Sequence, residues 1–336
     1  MDKKVGQIYS VVNVIAGLFI YILLSAIFGL VKMDKTTNEY LYIAFSLPQI
    51  GYILVYLILG YLFFKLKPKE FLLKENVKVN EYMLAIVIAA SLFFFAILPN
   101  NFITSLIHKS GSTASVTIPK MDSAGSIILS NLIICVLPAI GEELIYRKAL
   151  CDGLKPIGDV KVIIISGLIF ALQHFNLAQF VHQFIVGLIL AFIYVKSRNI
   201  TLTMLMHFIN NLLALNLTSF TDNSLWDGYT TATISACVCG GIVLILSLIL
   251  AYFYYKNRSF MFSKKASRIE TNNIESEEEN NLNSDALSNE NIDTKEDTKI
   301  NKKEKINPLV HVLIILCFIG WIVSLLSTYN LFGGNN

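Results

Sequence analysis

Nine apolar stretches constrain this chain more than any other feature of it. They run over Ile8 to Val31, Tyr40 to Phe64, Tyr82 to Ile107, Ala124 to Tyr146, Val162 to Phe175, Leu177 to Val195, Ile200 to Phe220, Thr231 to Tyr255 and Pro308 to Thr328. A helix needs ~20 apolar residues to cross a bilayer core, and most of the nine reach that length. Inside hydrocarbon every backbone N–H and C=O must be satisfied within the protein, which for runs of this length selects the α-helix. The predicted fold is therefore all-α, a polytopic transmembrane helical bundle of about nine spans, eight plus one after a linker. Composition agrees, since 54% of the 336 residues are hydrophobic and 15% are charged. The first run is longer than a signal-peptide core and no small-residue cleavage pattern follows it, so it is expected to be retained.

Cation placement orients the bundle. With the N-terminus cytoplasmic, all of the 27 Lys and Arg fall inside except Lys32, Lys35, Lys109 and Lys120, as the positive-inside rule requires. The expected location is a cell membrane, with the C-terminus outside. The net charge of +3 comes from the cytoplasmic loops and makes no case for nucleic acid. Five scattered cysteines read as small core residues, not as a disulfide or zinc framework. From Lys256 to Asn307 the composition turns to Glu, Asn, Ser, Asp and Lys, with no aromatic after Phe262; such a segment buries too little apolar surface to offset its chain entropy and is expected to be a disordered linker. The organisation follows: scaffold spans in 1–123, a central unit in 124–220, an eighth span in 221–255, the linker in 256–307 and a last span with its tail in 308–336. Deleting everything after about Ser259 is accordingly expected to leave activity intact. Pro48 and Pro99 are expected to kink or end their helices.

At the end of the fourth run stands Gly141-Glu142-Glu143-Leu144-Ile145-Tyr146-Arg147. A charge at membrane depth costs roughly 2.5–3.5 kcal/mol on insertion scales, so such groups face a protein interior or a watery cavity. The bland alternative is an interfacial salt-bridge cluster at a helix end. Three more polar groupings weigh against it: Phe170 to His174, His182, and His207 to Asn211. On a helix, residues four apart share a face, so Glu143 and Arg147 point the same way, as do His207 and Asn211. Glu142 is turned ~100° from Glu143, so Arg147 holds one carboxylate and leaves the other free. At 1.5 Å per residue, Glu142, His174, His207 and Asn211 fall ~12–23 Å above the cytoplasmic turns, within one layer. A carboxylate, two imidazoles and an amide at one depth can hydrolyse a peptide bond: a base for water, an acid for the leaving amine, donors for the oxyanion. Glu142, His174 and His207 could equally hold zinc with one position open for water. His182 and the lone His311 read as packing residues.

The three motifs resemble those of the CPBP intramembrane proteases, also called the CAAX protease and bacteriocin-processing or Abi family. Glu-Glu-x-x-x-Arg stands as Glu142, Glu143 and Arg147; Phe-x-x-x-His as Phe170 and His174; His-x-x-x-Asn as His207 and Asn211. Gly187 and Tyr194, before the polar break at Lys196 to Asn199, are similar to the family as well, while Lys148 stands where the family often has Gly. The resemblance covers roughly Ala124 to Leu215. It implies cleavage of membrane-associated peptides or proteins in a cavity open to the cytoplasmic face. Glu142 with His174 would activate water, His207 and Asn211 would stabilise the oxyanion, and Glu143, Arg147 and Phe170 would shape the site. It accommodates zinc on Glu142, His174 and His207 or a metal-free glutamate mechanism.

The Asn-, Lys- and Ile-rich composition reads as bacterial, which favours a peptide pheromone, a bacteriocin or another small membrane protein over a prenylated substrate. Two other classes compete: a non-catalytic bacteriocin self-immunity protein or membrane scaffold, and a proton-coupled transporter. A transporter of this kind should show repeated halves with broken helices, and no internal repeat is visible.

Overall fold

The structure, a computed structural model, describes residues 3–64, 77–109, 117–220, 231–256 and 306–328. The expected linker lies outside these residues except at its ends. Nine helices carry the described chain: α1 (Lys3–Gly29), α2 (Asn38–Phe64), α3 (Val79–Lys109), α4 (Ala124–Ile157), α5 (Asp159–Leu172), α6 (Leu177–Ser197), α7 (Ile200–Phe220), α8 (Thr231–Tyr255) and α9 (Pro308–Thr328). No strand occurs among the described residues. The protein is an all-α polytopic bundle. Its surface is that of a membrane protein, with Phe19, Ile128, Leu246 and Val323 turned outward while Glu142, Glu143, Arg147 and His207 are buried. Water would reverse that distribution; lipid accepts it.

Seven helices, α1 to α4 and α6 to α8, are long and apolar enough to cross a membrane. The sequence reading counts nine spans, and the difference has a physical content at α5. Its 14 residues rise only ~21 Å, short of a ~30 Å core. α5 and α6 instead form a hairpin whose tip carries Gln173 and His174. In α9 the apolar stretch with described side chains runs Pro308–Gly320.

Local chemistry sets these boundaries. α4 gives way to α5 at Gly158, whose φ of 97° lies in the left-handed region that a side chain disfavours. The hairpin turns through Phe175 at φ 47°, a left-handed non-glycine beside the polar cluster, and Asn176 then caps α6 by accepting from the Ala178 N–H at 2.9 Å. Pro48 and Pro99 lie inside α2 and α3, which continue through them; each proline removes one backbone donor, and neighbouring helices support the interrupted turn.

The hairpin closes on glycines. A Cβ on Gly187 of α6 would come 3.0 Å from the Gly167 Cα of α5 and 3.1 Å from the Phe170 ring. Small residues let membrane helices approach closely, and here the approach seats Phe170. Lower on α6, the Tyr194 hydroxyl donates to Asp152 of α4 at 2.9 Å, and Lys196 pairs with Asp159 at the base of α5. Four of the five cysteines are buried as expected, whereas Cys239 is exposed on α8.

Candidate active site

α4 is not a uniform helix. Two widened i→i+5 turns, Leu132–Val136 and Leu144–Ala149, flank the regular segment Leu137–Glu143. Such bulges recur at functional sites because they leave carbonyls for other partners. The Tyr146 carbonyl accepts from Ser166 Oγ at 2.9 Å and Cys151 Sγ at 3.3 Å, and the Ile134 carbonyl from Asn211 Nδ2 at 3.4 Å.

The two glutamates have different surroundings. Glu143 and Arg147, both with 0% side-chain exposure, form an ion pair with Nη1 and Oε1 3.0 Å apart. None of the guanidinium nitrogens meets an acceptor in hydrogen-bond geometry among the described residues, so the pair is a charge contact. The Arg147 guanidinium carbon lies 4.3 Å over the Phe170 ring, a cation–π contact that reaches ~2 kcal/mol when desolvated. Glu142 faces no cation at such range. Its Oε1 accepts from Gln49 Nε2 at 2.9 Å and its Oε2 from Gln173 Nε2 at 3.2 Å. Gln173 Oε1 in turn accepts from the Tyr52 hydroxyl at 2.8 Å and the Tyr146 hydroxyl at 3.1 Å.

The imidazoles are oriented by what their Nδ1 atoms touch. His207 Nδ1 lies 2.9 Å from Glu143 Oε1; a carboxylate only accepts, so the proton sits on Nδ1 and Nε2 keeps its lone pair. That Nε2 is 4.0 Å from Glu142 Oε2. His174 Nδ1 lies 2.8 Å from the Phe170 carbonyl, and the same argument leaves its Nε2 basic. Phe170 ties the cluster together, its ring centroid 5.1 Å from that of His174 and 5.7 Å from that of His207.

The structure thus gathers Glu142, Glu143, Arg147, Phe170 and His207 around one point, with His174 held on the Phe170 carbonyl. Asn211 is on the same helix as His207, and its amide is engaged with Ile134. His182 is half-buried in α6, and His311 is exposed on α9. Among the described residues no three His, Cys, Asp or Glu side chains are grouped as metal ligands, and both oxygens of Glu142 already carry amide donors.

Four site residues escaped the sequence reading: Gln49, Tyr52, Tyr146 and Gln173. The first three spans read as scaffold because they hold no ionisable group within their apolar stretches, yet α2 supplies two of the four. A glutamine in an otherwise apolar span was the available signal. Gly141 makes the approach of α2 feasible, since a Cβ there would stand 2.9 Å from the Gln49 carbonyl and 3.1 Å from its Oε1. Gly141→Ala is expected to destabilise the protein by about 1–3 kcal/mol through this overpacking and to displace Gln49 from Glu142. A thermal unfolding midpoint equal to that of the intact protein would contradict this.

α9 also belongs to the enclosure. Val310, Leu313 and Cys317 are buried in the main core, and a Cβ on Gly320 would lie 3.1 Å from the Phe175 ring at the hairpin tip. The Asn307 N–H donates to Gln7 of α1 at 2.9 Å. This packing argues for a part for the last span that the sequence did not suggest. A chain ending at Ser259 is expected to lose at least about tenfold in activity, because small displacements of the hairpin tip misplace His174. Full activity in a folded truncated protein would show that α9 is peripheral.

Taken with the fold, the structure places a buried carboxylate beside two imidazoles inside an all-helical bundle. Residues 124–213 match the family model described as Rce1-like, type II CAAX prenyl endopeptidase. The matched segment is similar to that membrane-protease family, in agreement with the CPBP and CAAX protease resemblance of the three motifs. No curated protein and no solved structure matches the chain.

Proposed function

We propose that this protein is an intramembrane endopeptidase that cleaves membrane-associated peptides or small proteins, with Glu142 as the base that activates water. One observation carries the reading: Arg147 pairs with Glu143, while Glu142 is held by neutral amides only, 4.0 Å from a basic imidazole nitrogen. That gap is too long for a direct hydrogen bond, so Glu142 keeps a lone pair free to accept from a water. Glu142 takes a proton from this water as its oxygen attacks the substrate carbonyl carbon, and the half-buried His174 orients the water by accepting its other hydrogen at Nε2. The oxyanion is met by the second N–H of the Asn211 amide and by His207, which takes a proton at Nε2 from cytoplasmic water before substrate binds, keeps it through the cycle, and as an imidazolium is stabilised by Glu143. As the tetrahedral adduct collapses, Glu142 passes its proton to the leaving amine and returns to the carboxylate. The positive-inside distribution supports a site approached from the cytoplasmic face of a cell membrane, with the N-terminus on that side.

The test compares the N-terminal peptides of membrane and secreted proteins in cells expressing the intact protein, Glu142→Gln, or neither. New termini confined to the intact protein support the reading and identify the substrate. Identical termini from both, together with a shared phenotype such as bacteriocin resistance, would make the protein an immunity or scaffold protein acting by binding.

A further inference from the structure

The geometry points to Gln49 and Tyr52 of α2 as positioning residues for Glu142, so that the catalytic carboxylate is completed from outside the matched segment 124–213. The inference rests on Glu142 as the base. Polar side chains often join membrane helices without any catalytic part, but here the donors all point one way. Glu142 can only accept, so both amides must turn their NH2 groups to it. Gln173 then presents Oε1 to the hydroxyls of Tyr52 and Tyr146, which donate to it at 2.8 and 3.1 Å. Each member donates toward the carboxylate: Tyr52 through Gln173 to Oε2, and Gln49 directly to Oε1.

Burial makes this a rigid cradle. Gln49 is 8% exposed, Gln173 4%, Tyr52 and Tyr146 0%. Water cannot replace a lost donor there at the same geometry, and hydrogen bonds in so dry a site are strong. The four donors are also uncharged. They fix the carboxylate in place without neutralising it, whereas the one buried cation nearby is spent on Glu143. A catalytic group must be held within about 0.5 Å of its working position by residues that are themselves locked. Gln49, with its backbone against Gly141, and Tyr52, packed on the Tyr146 ring with centroids 6.2 Å apart, meet that requirement.

The test uses the full chain, purified in lipid nanodiscs, and a peptide spanning a cleavage site found by the terminal comparison above. Gln49→Leu is expected to lower kcat by ~10- to 100-fold while KM stays within about twofold, because the base is misplaced and the substrate is not. Tyr52→Phe removes one hydroxyl without disturbing packing and is expected to give a smaller loss, again in kcat. In the Glu142→Gln background, Gln49→Leu should change the residual rate no further, since its whole effect passes through Glu142. Unchanged kcat in both single variants, a loss confined to KM, or an equal further loss in the Glu142→Gln background would each overturn the inference while leaving the protease reading in place. Full turnover by Glu142→Gln itself would remove that reading, and the cradle's catalytic part with it.

Discussion

Glu142→Gln is expected to lower the rate of peptide cleavage by ~10²- to 10⁴-fold, the range that a positioned general base supplies. The amide has the shape of the carboxylate but no basic oxygen, so the bound water keeps its proton. Folding should survive. One oxygen of the new amide can still accept from Gln49 or Gln173, while its NH2 group opposes the other donor, which loses about 1 kcal/mol of hydrogen bonding. Substrate contacts do not run through this proton, so uncleaved substrate should remain bound and co-purify with the variant. The measurement is a single-turnover rate on the identified peptide, with a pull-down of intact substrate beside it. A rate within threefold of the intact protein would mean that Glu142 is structural.

Arg147→Leu is expected to be the most damaging single substitution to stability. Both members of the Glu143–Arg147 pair are fully buried, and removing one partner of a buried ion pair leaves an uncompensated charge worth about 3–5 kcal/mol. The stacking of Arg147 on Phe170 is lost with it. Glu143 would then keep His207 as a hydrogen-bond partner, 2.9 Å away, with no buried cation to balance it. Replacing both members, Glu143→Leu with Arg147→Leu, should recover much of the stability, because exchanging a whole buried pair for apolar residues is often neutral. It should not recover activity, since His207 loses the acceptor that sets its tautomer. The comparison is a thermal unfolding series in detergent across the two single variants and the double. Similar destabilisation by the double and by Arg147→Leu alone would show that the pair is not what the core depends on. A stable but inactive double variant would separate the structural role of Arg147 from the positioning role of Glu143.

The contrast between the two adjacent glutamates explains why one site can hold both. Successive helical residues point ~100° apart, so one carboxylate turns to Arg147 and His207 and the other to α2 and the hairpin tip. Charge is compensated on the first side and only solvated by amides on the second. The widened turns on either side of Leu137–Glu143 free carbonyls for Ser166, Cys151 and Asn211. They are then satisfied by side chains from α5 and α7 and from α4 itself, as hydrocarbon demands.

How much of this was legible in the sequence divides along physical lines. The helical class, the membrane setting and the family resemblance follow from local facts: apolar run length, the cost of charge in lipid, and three short motifs between Ala124 and Leu215. The pairing of Glu143 with Arg147 is equally local, being an i, i+4 relation on one helix. The place of α5 was less legible, because hydropathy sees an apolar run there but not that the chain turns back through Phe175 beside Glu142. Gln49 was visible only as a polar residue in an apolar span, and its partner, the part played by Tyr52 and the docking of α9 beside Phe175 were not legible. They are contacts between helices 93 to 121 residues apart in the hydrogen-bonded cases, and a neutral glutamine in an apolar span carries no sign of its partner. The sequence by itself therefore determined which groups lie in the membrane and which of them share a helix face, since both depend on neighbours in the chain. Which oxygen of Glu142 meets which amide was decided by tertiary structure, through the close approach of α2 at Gly141 and of α5 to α6 at Gly167 and Gly187, because helix packing alone sets distances between segments remote in sequence.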